Sequence, residues 1–241
     1  MDKKSFWNTE IPVGYYDILH NQEEKKAKLQ SNWHFLTYSR VSEKLINDLI
    51  HLDYACGSGT LIGQFSNSTS LGYDISENQI NYANLKYSNE NKNFTFEESE
   101  INNKSPYDII TILGLFEYLT DNEILDLLKN MKQLIKKTGK IIITTPNYKS
   151  SIHILEIISN LISPVNYANV NINKLNISKL IKLIDKSEYE IVQVNKFLNF
   201  GILFSIFNKN FGLKLESKIN SIFNGKFGYL LYLELTPKFL N

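Results

Sequence analysis

From about residue 48 the chain alternates two hydrophobic rhythms. Runs suited to strands, LIHLDYA (49–55), SLGYDIS (70–76), NFTFEE (93–98), YDIITIL (107–113) and KIIITTPN (140–147), are separated by segments whose apolar residues recur at helical intervals. YDIITIL is apolar almost without a break, as befits a strand covered on both faces. Ser76 with Gln79, and Thr120 with Glu123, have the spacing of capping boxes; they predict helices over residues 77–87 and 120–137. Gly139 is the expected stop of the second helix, and Pro146 of the fifth strand. LIGQF (61–65) is expected to begin a helix. A helix within residues 174–187 then leads to YEIVQVNKFL (189–198), and GYLLYLELTPK (228–238) follows a long excursion.

Strands and helices in alternation give a parallel sheet with helices on both faces. The two late strands suit an antiparallel pair at its edge. The expected architecture is therefore α/β: a doubly wound, seven-stranded, mostly parallel sheet with an antiparallel edge strand. Residues 1–47 form a helical extension or lid, and the domain spans 48–241 with cap segments at about 149–172 and 199–226. The length of 241 residues is within reach of one domain, and 43% hydrophobic residues exclude a disordered chain. A net charge of +1 gives no general attraction to nucleic acid. The single cysteine, Cys56, excludes an intrachain disulfide and a cysteine-built zinc site, and no metal is expected. MDKKSFWNTEIP lacks the apolar core of a secretory signal, and runs such as FGILFSIF (200–207) are too short to span a bilayer. A soluble cytoplasmic protein, monomer or homodimer, is expected.

In such a sheet, ligands bind beyond the carboxyl ends of the strands, where strand order reverses. The small residues Ala55, Cys56, Gly57, Ser58 and Gly59 follow the first strand there, and Asp74, 21 residues after Asp53, ends the second. An acid at that point can bind ribose hydroxyls. The glycines 57, 59 and 63 read G-x-G-x-x-x-G rather than the dinucleotide spacing G-x-G-x-x-G. Asp53 would repel a pyrophosphate and attract an ammonium group. A ligand with adenosine at one end and an amino acid at the other satisfies both acids, which points to S-adenosylmethionine.

Residues 48–147 resemble the class I S-adenosylmethionine-dependent methyltransferases. The first motif of that family, D-x-G-x-G-x-G, is matched by DYACGSG with Ala55 in place of the first glycine; an ordinary backbone is expected at Ala55, since φ above zero is costly for alanine. GYDISENQINYA is similar to the second-strand motif, which places Asp74 on the ribose and Ile75 against the adenine. FEESEIN stands where the family has an acid near the adenine amino group, so Ser99 and Glu100 carry that role by resemblance. YDIITILGLFEYLTD is similar to the fourth-strand motif: Leu113 and Gly114 would lie beside the methionine part, and Glu117 and Tyr118 would face the acceptor. The resemblance implies a Rossmann-like methyltransferase fold, S-adenosylmethionine as cofactor, and a small-molecule acceptor.

Methyl transfer from a sulfonium needs an acceptor atom placed in line in a site that excludes water, and a hydroxyl or amine acceptor also calls for a base. The N-terminal stretch carries Tyr16, His34, Tyr38 and Arg40. His34 is the first candidate for base or acceptor-positioning group, with packing of a helix as the alternative. Tyr16 and Tyr38 are candidates to flank the cofactor, and Arg40 to pair with its carboxylate. Residues 150–163 and 200–223 are apolar beyond the sheet's needs; an acceptor pocket, a dimer contact and a membrane surface all remain open for them. A small acceptor with an oxygen or nitrogen nucleophile, hydrophobic or sugar-like, is expected. A nicotinamide-dependent oxidoreductase and a non-catalytic S-adenosylmethionine-binding subunit are the rival readings.

Overall fold

The computed structural model describes residues 3–21, 28–152 and 173–238. The strands β1 (Ile50–Tyr54), β2 (Thr69–Tyr73), β3 (Lys92–Thr95), β4 (Tyr107–Leu113), β5 (Ile135–Pro146), β6 (Tyr189–Phe197) and β7 (Leu230–Pro237) form one sheet. Their order is β3-β2-β1-β4-β5-β7-β6. The first five are parallel to one another. β7 runs antiparallel to both β5 and β6, so the antiparallel pair lies at the edge with β6 outermost. The reversal of order falls between β1 and β4, and a crevice opens at their carboxyl ends.

The helices are α1 (Lys3–Thr9), α2 (Tyr15–Asn21), α3 (Lys28–Ser42), α4 (Glu77–Tyr87), α5 (Glu98–Asn103), α6 (Asp121–Leu134), α7 (Ile177–Lys186) and α8 (Lys209–Phe223). Alternation along the strands sends successive side chains to opposite faces. On β4, Ile110 and Ile112 join the core beneath α6 and α7, with Leu128, Met131 and Leu183. Ile109 faces the other core with Val41, Ile142, Ile202 and Tyr232. Both faces of β4 are thus buried, as its unbroken apolar run requires.

Three local expectations are corrected. The helix after Thr120 does not continue to Gly139; it ends at Leu134, and Ile135 already pairs with Tyr107. The register shifts between Tyr107 and Ile109, and Gly139 is needed there because a Cβ would lie 3.0 Å from the Asp108 carbonyl oxygen. LIGQF makes a single π-helical turn. Ser76 and Gln79 do not form a capping box: Ser76 Oγ donates to Trp7 O at 3.2 Å, and Gln79 Nε2 to Pro12 O at 2.9 Å. Those side chains tie down the N-terminal helices instead.

The second capping box is present. Glu123 N donates to Thr120 Oγ1 at 3.3 Å, and Thr120 N to Glu123 Oε2 at 2.7 Å. Thr120→Ala should therefore cost about 1 kcal/mol of stability, seen as a lower urea midpoint with an unchanged m-value. An unchanged midpoint would show that the box carries no net stabilisation.

Candidate active site

Beyond β1 the chain turns sharply, with Ala55 at φ +67°, Gly57 at +54° and Gly59 at +75°. Ala55 thus departs from the expected ordinary backbone: the turn needs a left-handed residue there, and alanine bears a strain of about 1 kcal/mol. Asp74, one residue past β2, braces this loop. Its Oδ2 accepts from Gly57 N at 2.8 Å, and its Oδ1 from Ser76 N at 2.9 Å. A carboxylate has about four acceptor positions, so both oxygens keep capacity for further donors. Burial raises the pKa of Asp74, against the two amide hydrogen bonds that lower it.

Asp53 ends a buried polar chain that crosses three strands. Thr111 Oγ1 donates to Asp53 Oδ1 at 2.6 Å. The same hydroxyl lies 2.9 Å from His51 Nε2, and His51 Nδ1 lies 3.0 Å from Ser70 Oγ. Because Thr111 gives its one proton to Asp53, His51 donates to it from Nε2, while Ser70 Oγ beside Nδ1 is also in reach of Ser68 O at 3.1 Å. Burial holds His51 neutral, with a pKa lowered to about 3. Burial, and then the charge of Asp74, push the Asp53 carboxyl up to about 7, against the opposing hydrogen bond from Thr111.

At the tips of β1, β2 and β4 lies a cavity of about 510 Å³. Ala55, Cys56, Gly57, Asp74, Ile75, Leu113, Gly114, Glu117 and Tyr118 border it from the sheet side. Tyr16, His34 and Tyr38 border it from the N-terminal helices, with Trp7, Tyr15 and Trp33. Asp17 fastens those helices. Its side chain is fully buried and accepts from Gln64 Nε2 at 2.9 Å, Tyr82 OH at 2.7 Å, Lys86 Nζ, Tyr87 OH and, more weakly, Thr60 Oγ1 at 3.3 Å. Its backbone N–H donates to Ser58 Oγ at 3.0 Å, and Tyr16 beside it covers Gly57 so closely that a Cβ there would lie 2.8 Å from the ring.

His34 stands between two tyrosines, its ring centroid 6.0 Å from Tyr16 and stacked 5.7 Å from Tyr38. Burial, and then the neighbouring His20, lower its pKa to about 4. Burial and then the charge of Asp53 raise Tyr38, so its hydroxyl stays a donor. Burial likewise raises the Cys56 thiol well above its usual value, which leaves it protonated and unreactive. Glu117 accepts from Thr145 Oγ1 at 3.2 Å, and Tyr118 meets Trp7 edge-on at 5.0 Å.

Not every expected residue arrives. Ser99 and Glu100 are exposed on α5 and do not border the cavity, because the chain turns into that helix just after β3. Arg40 does not border the cavity; its guanidinium lies 5.2 Å from the Phe197 ring and 5.0 Å from the Tyr232 ring, neither of which lines it. Asp53 sits behind the cavity wall, with 3% of its surface exposed, and Gly59 packs against Phe94. Residues 200–223 do not border the cavity either; they pack on the outside of α3. Of the segment 150–163, residues 153–163 lie outside the described residues. Sequence reasoning missed Trp7, Thr37, Tyr54, Tyr73 and Tyr148 as wall residues, and Asp17 as the fastener. Tyr54 and Tyr73 are the last residues of β1 and β2, so their place at strand ends was the available signal; Trp7, Asp17 and Thr37 fall in the aromatic-rich N-terminal stretch, which marked the region and not the residues.

A family described as a methyltransferase domain matches residues 47–199. The chain belongs to that family. It is a class I S-adenosylmethionine-dependent methyltransferase. No curated protein sequence matches it. Among solved structures, the magnesium protoporphyrin IX methyltransferase of Synechocystis PCC 6803 with bound S-adenosylmethionine is similar at 15% identity and TM-score 0.62, over 99% of this chain and 98% of that one. The cyclopropane synthase MmaA2 of Mycobacterium tuberculosis is similar at 10% identity and TM-score 0.60, over 97% of both chains. The plantazolicin methyltransferase BpumL is similar at 18% identity and TM-score 0.54, over 93% of this chain and 88% of that one.

The methyltransferase cavity has features that fit S-adenosylmethionine. Asp74 has acceptor capacity for a ribose diol, Ile75 offers an apolar surface, and the small residues 55–57 border the cavity with little side chain. The ionised form of Asp53, behind the wall, would complement the cation's charge through a medium of low polarity.

Two outcomes follow for binding of S-adenosylhomocysteine. Asp74→Ala should weaken it by about 1–3 kcal/mol in calorimetry, and equal affinity would remove Asp74 from the site. Asp53 titrates the other way from an ordinary carboxylate. Its raised folded pKa makes the free protein lose stability as pH rises from its unfolded value of 3.8 through about 7. An aminated ligand that favours the ionised form offsets this, so thermal stabilisation by S-adenosylhomocysteine should increase across the same window. A pH-independent increment would place Asp53 outside the ligand's field.

Proposed function

We propose that this methyltransferase acts on a small hydrophobic acceptor through an oxygen or nitrogen nucleophile, with His34 as the base. The observation that carries the reading is that a neutral imidazole borders the same cavity as the Gly57 turn and Asp74. When bound, S-adenosylmethionine supplies an electrophilic methyl group on a sulfonium. Trp7, Tyr15, Trp33 and Tyr118 give the cavity an apolar wall that suits a flat or greasy acceptor and excludes water.

A pKa of about 4 makes His34 a weak base in the ground state. The demand on it is small, because a hydroxyl gaining a methyl group becomes a strongly acidic oxonium as the bond forms. His34 need take the proton only then, and Tyr16 and Tyr38 hold its ring in place. Glu117 borders the cavity too, and the reading assigns it to orienting the acceptor. Residues 1–47 serve as the lid of a domain spanning 48–241. The magnesium protoporphyrin IX and plantazolicin methyltransferases carry small-molecule names, which supports an acceptor of that kind. The free thiol of Cys56 suits a reducing cytoplasm.

Transfer of a labelled methyl group to panels of phenols, alcohols and amines tests the reading, with organic-extractable label expected. Label recovered only in protein or nucleic acid would contradict it. With an acceptor in hand, His34→Ala should lower kcat by about a hundredfold while S-adenosylhomocysteine affinity holds. At saturating cofactor, kcat should be flat between about pH 6 and 8 and fall only toward the His34 pKa, since the neutral ring is the active form. An inflection near the ordinary histidine value would assign the proton to another group.

A further inference from the structure

The segment 199–226 is not needed by the cavity, yet it is built with care. A 3-10 segment, Phe200–Ile206, folds back against α8 at backbone contact: a Cβ on Gly201 would lie 2.5 Å from Glu216 N, and one on Gly212 2.2 Å from Ser205 N. Glu216 is fully buried between them and accepts from Asn199 N at 2.6 Å, Ile202 N at 3.2 Å and Asn220 Nδ2 at 3.0 Å. The result is a stiff hairpin resting on α3.

Its outer surface exposes large apolar side chains. Phe207 is 86% exposed, Ile222 68% and Phe211 56%, and Phe204 and Phe223 are also exposed. Phe211, Leu215, Lys218 and Ile222 recur at helical spacing along one side of α8, and the Phe204 and Phe211 rings meet edge-on at 6.0 Å. The charge on this hairpin has one sign. Within residues 199–226 the sequence has four lysines, 209, 214, 218 and 226, and a single acid, the buried Glu216. All four lysines are exposed in a chain whose net charge is only +1.

We infer that this hairpin, with Phe204, Phe207, Phe211 and Ile222 flanked by Lys214 and Lys218, docks the enzyme onto an anionic lipid surface. Exposed phenylalanines and isoleucine insert among acyl chains, and lysines beside them pair with headgroup phosphates. A second copy of the chain suits the face less well, since a two-fold contact would set lysines against lysines. Among the described residues no helix is long and apolar enough to cross a membrane, so the association is peripheral. The hairpin packs on the outer side of α3, the helix that carries His34 and Tyr38 to the cavity wall. The inference stands apart from the choice of acceptor and base.

Flotation of the full chain with vesicles tests it. Phosphatidylcholine vesicles containing phosphatidylglycerol should carry the protein up, and phosphatidylcholine alone should not, with binding falling as salt rises. The triple variant Phe207→Ser, Phe211→Ser, Ile222→Ser and the double variant Lys214→Glu, Lys218→Glu should each bind anionic vesicles at least about tenfold more weakly while keeping the wild-type circular dichroism. Wild-type protein that stays unbound from anionic vesicles, or both variants binding like wild type, overturns the proposal. So does a wild-type dimer in light scattering that the triple variant converts to monomer, which would make the face a contact between copies. Equally strong binding to duplex DNA by wild type and triple variant would also overturn it, since it would reduce the surface to a polyanion site.

Discussion

The cavity depends on one buried carboxylate. Asp17 lies in the short helix α2, yet its partners come from the turn after β1 and from α4, and Lys86 neutralises it. Burial alone would raise its pKa; hydrogen bonds from Lys86, Tyr87 and Tyr82 outweigh that and hold it below the ordinary value. The ionised hub therefore stabilises the fold above an ordinary carboxylate pKa and is lost as pH falls below it. The two seven-residue helices α1 and α2 have little core of their own, a cluster around Phe6, Ile11 and Tyr15, whereas α3 sends Val41 into the core of the sheet. Fastened through Asp17, Ser76 and Gln79, the N-terminal helices close one side of the cavity; unfastened, the strand tips would face water.

The second constraint is backbone geometry. The turn after β1 places left-handed residues at 55, 57 and 59, and Asp74 braces it from the neighbouring strand end. Strain at Ala55 is tolerated because the surroundings over-determine the turn. Behind it, the chain from Ser70 through His51 and Thr111 to Asp53 satisfies groups that would be costly to bury alone. His51 is fully buried. In three dimensions it aligns the hydroxyl that fixes Asp53, so it positions a charge rather than touching a ligand.

Much of this was legible in the sequence, for identifiable reasons. Period-two and period-3.6 patterns are local, and they placed β1, β4, β7 and α4 close to their limits, and the start but not the end of α6. Thr120 and Glu123 formed their box because both partners lie within one helical turn. Ser76 and Gln79 have the same local signal, and it misled: distant backbone groups at Trp7 and Pro12 compete for the same atoms. Motif residues at strand ends, Gly57, Asp74, Ile75, Leu113 and Gly114, reached the cavity because topology delivers strand ends there. Ser99, Glu100 and Arg40 did not, since their direction depends on where a short helix begins or which face of α3 packs inward. Asp17 was invisible for a similar reason, with partners 43 to 70 residues away.

The dependence of the cavity on Asp17 is open to a direct measurement, hydrogen exchange of wild type and Asp17→Asn. The account predicts faster exchange confined to amides of residues 3–21, 28–42 and the turn at 55–60, with the central strands β1, β4 and β5 exchanging as before. Exchange at wild-type rates in the N-terminal helices would contradict it, since the fastening would then lie elsewhere.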